Sequence, residues 1–207
     1  MAPAPHPSGE DQRAAPRFTL LLRTAKLIAD GREFVCVLRD ASDTGVKVRL
    51  FHPLPAAQAH ELELADGTRL PLDPVWERGG HAGFRFVTPI DVRTMIEDFD
   101  GPYPRRPLRL QLHNHARVTA HGDIREARII NLSQQGACIQ CDEHLMLQEK
   151  ICIEGDLMPP IVAHVCWRDA PRYGLAFEQL FQLDELARFI ARVQDGGPAE
   201  PGRRTAA

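Results

Sequence analysis

The sequence repeats itself at a spacing of 91 residues, and that repeat limits the fold more than any other feature. Asp40-Ala41-Ser42-Asp43-Thr44-Gly45 falls on Asn131-Leu132-Ser133-Gln134-Gln135-Gly136, Trp76 on Trp167, Gly83 on Gly174 and Phe86 on Phe177. Val75-Trp76 is echoed by Cys166-Trp167. Upstream, Arg13-Ala14-Ala15-Pro16-Arg17 falls on Arg105-Arg106-Pro107-Leu108-Arg109 with a spacing of 92, one residue of slippage in a loop. Paired Trp, Ser-x-x-Gly and Arg-x-x-x-Arg elements in one order and register describe two copies of one domain. The 207 residues therefore hold two small cores rather than one large one.

Composition sets the boundaries. Residues 1–12 are polar and rich in Pro and Ala, the composition of a disordered tail. The first copy spans 13–98, a Gly/Pro junction at 99–104 forms the linker, the second copy spans 105–195, and 196–207 reads as another disordered tail.

Within each copy the pattern is mainly strand. Val46-Lys47-Val48-Arg49-Leu50 alternates apolar and charged residues, the period of a half-buried strand. Its counterpart Ala137–Cys141 turns Ala137, Ile139 and Cys141 inward and Cys138 outward. Residues 33–38, 125–130, 61–64 and 151–154 are further strand candidates, and Asp30-Gly31 and Asp66-Gly67 are turn dipeptides. Each copy closes on a helical pattern, Ile90–Phe99 in the first and Leu183, Leu186, Ile190, Val193 in the second, with Asp184 suited to the helix start. That stripe reads as core, with homodimerisation as its second use. Many short strands and one terminal helix in a domain this small predict an antiparallel barrel with a helix beside its mouth.

Formal net charge is −3 and the pI about 6.3, which argues against a nucleic-acid binder, whose footprint is a basic surface. A few placed cations can still hold a small anion. Of the 25 Lys and Arg, only Lys26, Lys47 and Lys150 are lysine, and arginine suits bidentate phosphate and guanine contacts. No apolar stretch reaches the roughly 20 residues of a membrane-spanning helix, and the N-terminal sequence lacks the apolar run of a signal peptide, so a cytoplasmic protein is expected. The five cysteines, an odd count at irregular spacing, read as small buried hydrophobes.

Arg13-x-x-x-Arg17, then about 22 residues, then Asp40-x-Ser42-x-x-Gly45 is a two-part motif, and Arg105-x-x-x-Arg109 with Asn131-x-Ser133-x-x-Gly136 repeats it. Both copies, with their later Trp and Gly-x-x-Phe, resemble the PilZ family over nearly the whole chain. The resemblance implies two tandem six-stranded antiparallel β-barrels, each with a C-terminal α-helix. It also implies cyclic di-GMP as ligand, gripped by arginines on a segment before the first strand and by a strand-turn-strand corner on the barrel.

The chemistry suits those residues. Guanine presents O6 and N7 as adjacent acceptors, which an arginine fork meets bidentately, and a guanidinium plane can stack on a purine. A second arginine can neutralise phosphate. Arg17 and Arg109, or their partners Arg13, Arg105 and Arg106, would divide that work. Asp40 or Asn131 would accept from the guanine N–H groups, and Ser42 and Ser133 would bond ligand or brace the turn. Gly45 and Gly136 are expected to adopt positive φ and leave room for a flat base.

Trp76 and Trp167 are expected in the core, with ligand stacking as the lesser use. Cys138-x-x-Cys141 with His144 is a poor metal site, because residues three apart on a strand face opposite sides and no second Cys pair is near. His113, His115 and His121 read as solvated. Ser42 lacks a nucleophile elbow and a placed histidine, so no enzyme is expected. The resulting expectation is a receptor whose barrels rearrange on ligand binding and signal to an unidentified protein effector in motility, adhesion or exopolysaccharide control. The alternative is an interaction or assembly module that ignores nucleotide, or in which only the second copy binds.

Overall fold

The computed structural model describes residues 18–93, 107–155 and 157–196, with side chains from residue 23 onward. Each copy is a closed barrel of six antiparallel strands. The first comprises β1 (Phe18–Ala29), β2 (Arg32–Ser42), β3 (Gly45–Arg49), β4 (His60–Glu63), β5 (Arg69–Arg78) and β6 (His81–Phe86). They run β1-β2-β3-β6-β5-β4 around the barrel, and β4 closes on β1. The second comprises β7 (Leu110–Ala120), β8 (Asp123–Leu132), β9 (Gly136–Gln140), β10 (Lys150–Gly155), β11 (Met158–Asp169) and β12 (Arg172–Phe177) in the same circular order, closed by β10 on β7. Closure removes every free edge, the usual hazard of a small sheet.

Local sequence explains the elements. In β3, Val46 and Val48 enter the core while Lys47 and Arg49 face outward. At the β1–β2 turn Asp30 and Gly31 have φ of 47° and 79°, the two positive values that a twisted two-residue hairpin needs. The Asp30 carboxylate accepts N–H groups of Gln58 and Ala59 at 3.1 and 3.0 Å. Those bonds, from Ala59 first and Gln58 second, hold its carboxyl below the usual range. After the second barrel, α1 (Leu183–Gly196) buries Leu186, Phe189 and Ile190. Its start is tied by the Gln182 N–H donating to Glu185 Oε2 at 3.2 Å. The helix runs to Gly196, one residue into the expected tail. Of the helix expected over Ile90–Phe99, residues 92–93 are helical and 94–99 lie outside the described residues, as do the segments 1–12, 99–104 and 197–207. Among the described residues no helix is long and apolar enough to cross a membrane.

The expectation of five buried cysteines needs correction. Cys36, Cys138 and Cys141 are buried, but Cys152 is only half-buried and Cys166 is exposed. Burial pushes the Cys36 thiol up to about 12, against a smaller opposite pull from its bond to the Ala25 carbonyl.

The barrels meet along one seam. The inward face of β2 (Phe34, Cys36, Leu38) fills the first barrel, while its outward residue Val35 joins the core of the second, and Ala191 of α1 packs into the core of the first. Strand β2 is therefore buried on both faces, which explains the unbroken apolar run Phe34–Leu38. Polar contacts line the seam. Glu33 Oε2 accepts the Gln111 N–H at 2.7 Å, Gln194 Nε2 donates to the carbonyls of Gln111 and Glu33 at 3.1 and 3.4 Å, and Arg32 pairs with Asp195 at 3.2 Å.

Candidate ligand-binding clefts

Each barrel carries one cleft at the same place, beside the corner between its second and third strands. The cleft of the first barrel, about 330 Å³, is lined by Asp40, Ser42, Gly45, Lys47, Trp76 and Arg85 among others. That of the second, about 220 Å³, is lined by Arg109, Asn131, Ser133, Gly136, Cys138 and Trp167 among others. The fold thus gathers Asp40, Ser42 and Gly45 in one cleft and Arg109, Asn131, Ser133 and Gly136 in the other. Arg13, Arg17, Arg105 and Arg106 lie outside the described residues.

Bulges aim these side chains. The β2–β3 register slips between Leu38 and Asp40, and β8–β9 slips at the same place, between Ile129 and Asn131. An extra residue on one strand bends it and re-aims the side chains beyond the bend. Asp40 then sits opposite Lys47, and Asn131 opposite Cys138. The corners are tied by their own serines. Ser133 Oγ donates to the Gly136 carbonyl at 3.1 Å and accepts the Gln135 N–H at 3.3 Å. Ser42 Oγ makes the looser equivalent to the Gly45 carbonyl at 3.5 Å.

The reason for the glycines is not the one the sequence suggested. Gly45 and Gly136 are not among the residues with positive φ. They are required by a neighbouring strand: a Cβ on Gly45 would stand 2.6 Å from the Phe84 carbonyl oxygen, and one on Gly136 would run into that of Leu175. Close approach of a backbone, not a left-handed turn, excludes a side chain at both places.

The tryptophans are also corrected. Trp76 and Trp167 are not core: they remain 44% and 41% exposed and line the clefts. The strands β5 and β11 each slip one register step just before the Trp, between Pro74 and Trp76 and between Val165 and Trp167. That slip defeats a prediction from simple alternation. Each Trp pairs directly with a glycine, Gly83 or Gly174, and its indole lies over that residue so closely that any Cβ would strike the ring. A Trp laid across a cross-strand glycine shields the bare backbone, and its outer face stays open to solvent.

Sequence reasoning also missed the turn residues inside the motif. Asp43 Oδ1 accepts the Val92 N–H at 3.1 Å and its carbonyl accepts the Ile90 N–H at 2.9 Å. Gln134 does the same in the second copy, exchanging bonds with Phe181 at 3.0 Å in both directions. Each corner is thereby clasped to the segment that follows its barrel's last strand. The repeat itself contained the signal, since Asp43 and Gln134 are equivalent polar residues.

The clefts differ in charge. Lys47 stands 3.8 Å from Asp40, and Arg85 lies 3.8 Å from Asp73, so the first cleft mixes both signs. In the second, Asn131 replaces the acid and Cys138 the lysine. Burial pushes the Cys138 thiol up, offset in part by the nearby Arg172 and Arg109. Among the described residues no group of three or more His, Cys, Asp or Glu could hold a metal ion.

A PilZ domain model matches the chain twice, over residues 11–99 and 103–192. The chain belongs to the PilZ family. Similar solved structures include Borreliella burgdorferi PlzA in complex with c-di-GMP, 14% identical, covering 84% of this chain and 88% of that one at a TM-score of 0.36. The Bacillus subtilis inhibitor of motility MotI/DgrA is 12% identical and covers 86% of this chain and 100% of its own at 0.35. Escherichia coli YcgR in complex with c-di-GMP is 13% identical, with 84% and 82% covered at 0.32. No curated protein matches the chain.

Proposed function

We propose that this PilZ protein is a receptor for cyclic di-GMP rather than an enzyme. The observation that carries the reading is the second cleft, which Arg109 lines together with the Asn131-Ser133-Gly136 corner and an exposed tryptophan. A guanidinium fork, amide and hydroxyl groups and an aromatic face are the contacts a guanine dinucleotide needs. The same reading assigns ligand contacts to Arg105 and Arg106 in the second copy, and to Arg13 and Arg17 with Asp40, Ser42 and Gly45 in the first. Titration calorimetry with cyclic di-GMP is expected to give saturable binding at micromolar affinity or tighter, about −8 kcal/mol. Arg109→Ala should weaken the second site by about 30-fold, the loss of a charge-assisted contact, and GMP should compete poorly. An absence of saturable heat with the wild-type protein defeats the reading.

A narrower version, in which only the second copy binds, is favoured by the clefts themselves. Arg109 already lines the second, whereas Asp40 brings a negative charge to the first. One ligand per chain, abolished by changes at Arg109 and untouched by Asp40→Ala, would select it.

Binding is proposed to move the barrels against each other and to signal a protein effector in the cytoplasm, in motility, adhesion or exopolysaccharide control. Support comes from the chain itself: Arg109 is two residues from Gln111, whose N–H is held by Glu33 of the other barrel. A ligand that engages Arg109 therefore acts on a strand start fastened to the other barrel. Superimposable small-angle scattering profiles with and without saturating ligand would remove the rearrangement while leaving binding intact.

A further inference from the structure

We propose that Glu33, a residue of the first barrel, is a positioning residue for the ligand cleft of the second. The inference rests on the functional reading above. Glu33 is only 6% exposed, although it is a carboxylate on the outer face of a strand. A buried carboxylate is retained only where it is paired and bonded. Glu33 is both: Lys26 Nζ lies 3.2 Å from it and also 2.8 Å from Glu63. Its Oε2, one of the two oxygens beside Lys26, also accepts the Gln111 N–H across the seam at 2.7 Å. From the other side Gln194 of α1 holds the Gln111 carbonyl at 3.1 Å. Both backbone polar groups of one residue are thus tied to elements outside its own sheet.

That residue matters because of where it stands. Gln111 is directly opposite Asn131 in the β7–β8 register and two residues beyond Arg109. Immediately after it the register slips, between Gln111 and Asn114, so the first residues of β7 are separated from the regular ladder behind them. A strand start beyond a bulge is held weakly by its own sheet. Glu33 and Gln194 supply the missing restraint, and the part of the chain they fix carries one ligand residue and faces another. Lys26 and Arg109 also line one cleft between the barrels, so the same ion group borders the approach to the site. The position equivalent to Glu33 in the second copy is Ile124, which is 63% exposed and cannot act this way on a neighbour. Because coupling is reciprocal, ligand in the second cleft must also tighten the seam.

The two tryptophans allow each cleft to be read separately. Trp76→Phe leaves Trp167 as the only tryptophan, and Trp167→Phe leaves Trp76. In each background Glu33→Ala and Glu33→Gln are titrated with cyclic di-GMP by fluorescence, and amide hydrogen exchange is followed over residues 107–114. Glu33→Ala should weaken binding reported by Trp167 by about 10-fold, leave binding reported by Trp76 within about twofold, and speed exchange at Gln111. Glu33→Gln keeps a side-chain carbonyl for the Gln111 N–H and should restore most of the affinity. Val35→Ala, which thins the seam without touching that bond, should lower the melting temperature at least as far as Glu33→Ala while sparing the affinity. Equal ligand binding by wild type and Glu33→Ala overturns this inference alone, as does a loss of affinity that tracks melting temperature through all three variants. Wild-type protein that takes up no dinucleotide overturns the functional reading and this inference with it.

Discussion

Strands β2 and β8 hold the same position in two copies of one fold, yet β2 is buried on both faces and β8 on one. The outward residues of β2 are Glu33, Val35 and Val37, at 6%, 0% and 5% exposure. Their equivalents on β8 are Ile124, Glu126 and Arg128, and the Glu126 side chain is 69% exposed. On the inner faces Cys36 and Leu38 match Ala127 and Ile129, apolar and buried in both copies, while Phe34 is replaced by Arg125. Only the outer face decides which barrel receives α1, because two valines release water when covered and a Glu–Arg pair does not. In this duplicated domain the two copies are unequal: one carries a covered, largely apolar outer face, and the equivalent face of the other is exposed and carries charges. The same contrast appears in one ion pair. Lys26–Glu63 joins β1 to β4 with side chains 13% and 14% exposed, whereas its equivalent Arg117–Glu154 is 53% and 31% exposed.

The largest test of this contrast is to exchange the outer faces. Val35→Glu installs the residue of the second copy beneath α1 and should cost at least about 3 kcal/mol, because a charge is buried without a partner. Urea denaturation should show it, with the reverse change Glu126→Val staying within about 0.5 kcal/mol. A tolerated Val35→Glu would mean the seam is not packed as described.

Glycine replacements come next and compare the corners. Gly136→Ala should cost about 2 kcal/mol and Gly45→Ala about 1, since the added methyl meets a backbone carbonyl in both and more severely in the second copy. Melting temperatures that fall in the opposite order would place the strain elsewhere.

Acid should separate the ion pairs. Burial pushes the Glu63 carboxyl up, but Lys26 and then Arg69 more than offset it, so it sits below its usual value. The unfolded chain therefore takes up a proton at a higher pH than the folded one does. The stability this contributes is complete above the ordinary Glu value of about 4.3 and is lost as pH falls through the depressed one. Glu63→Gln should flatten the acid limb of a stability–pH curve.

The smallest expected effect is that of Asp40→Asn, which gives the first cleft the residue of the second. The Asp40–Lys47 pair is 3.8 Å apart with side chains 31% and 40% exposed, so stability should move by less than about 0.5 kcal/mol. A larger loss in thermal unfolding would show that the pair braces the corner.

Much of this architecture was legible in the chain. The repeat, the alternation in β3, the Asp30-Gly31 turn and the stripe Leu183–Val193 are local patterns, and local patterns survive folding when each copy buries its own core. The Asn131-Ser133-Gly136 corner was readable for the same reason, as its members are joined through one turn. The tryptophans were misplaced because a bulge depends on the partner strand, and the glycines were misexplained because the carbonyls that exclude a side chain belong to Phe84 and Leu175, far along the sequence.

The sequence by itself determined that there are two small barrels and which polar residues share the corner of each. Tertiary structure alone decided that the copies are unequal, by burying the outer face of β2 under α1 and by fastening Gln111 to Glu33. That choice rests on contacts between residues as far apart as 78 and 161 positions, whose pairing is set by shape and burial and leaves no periodic trace along the chain.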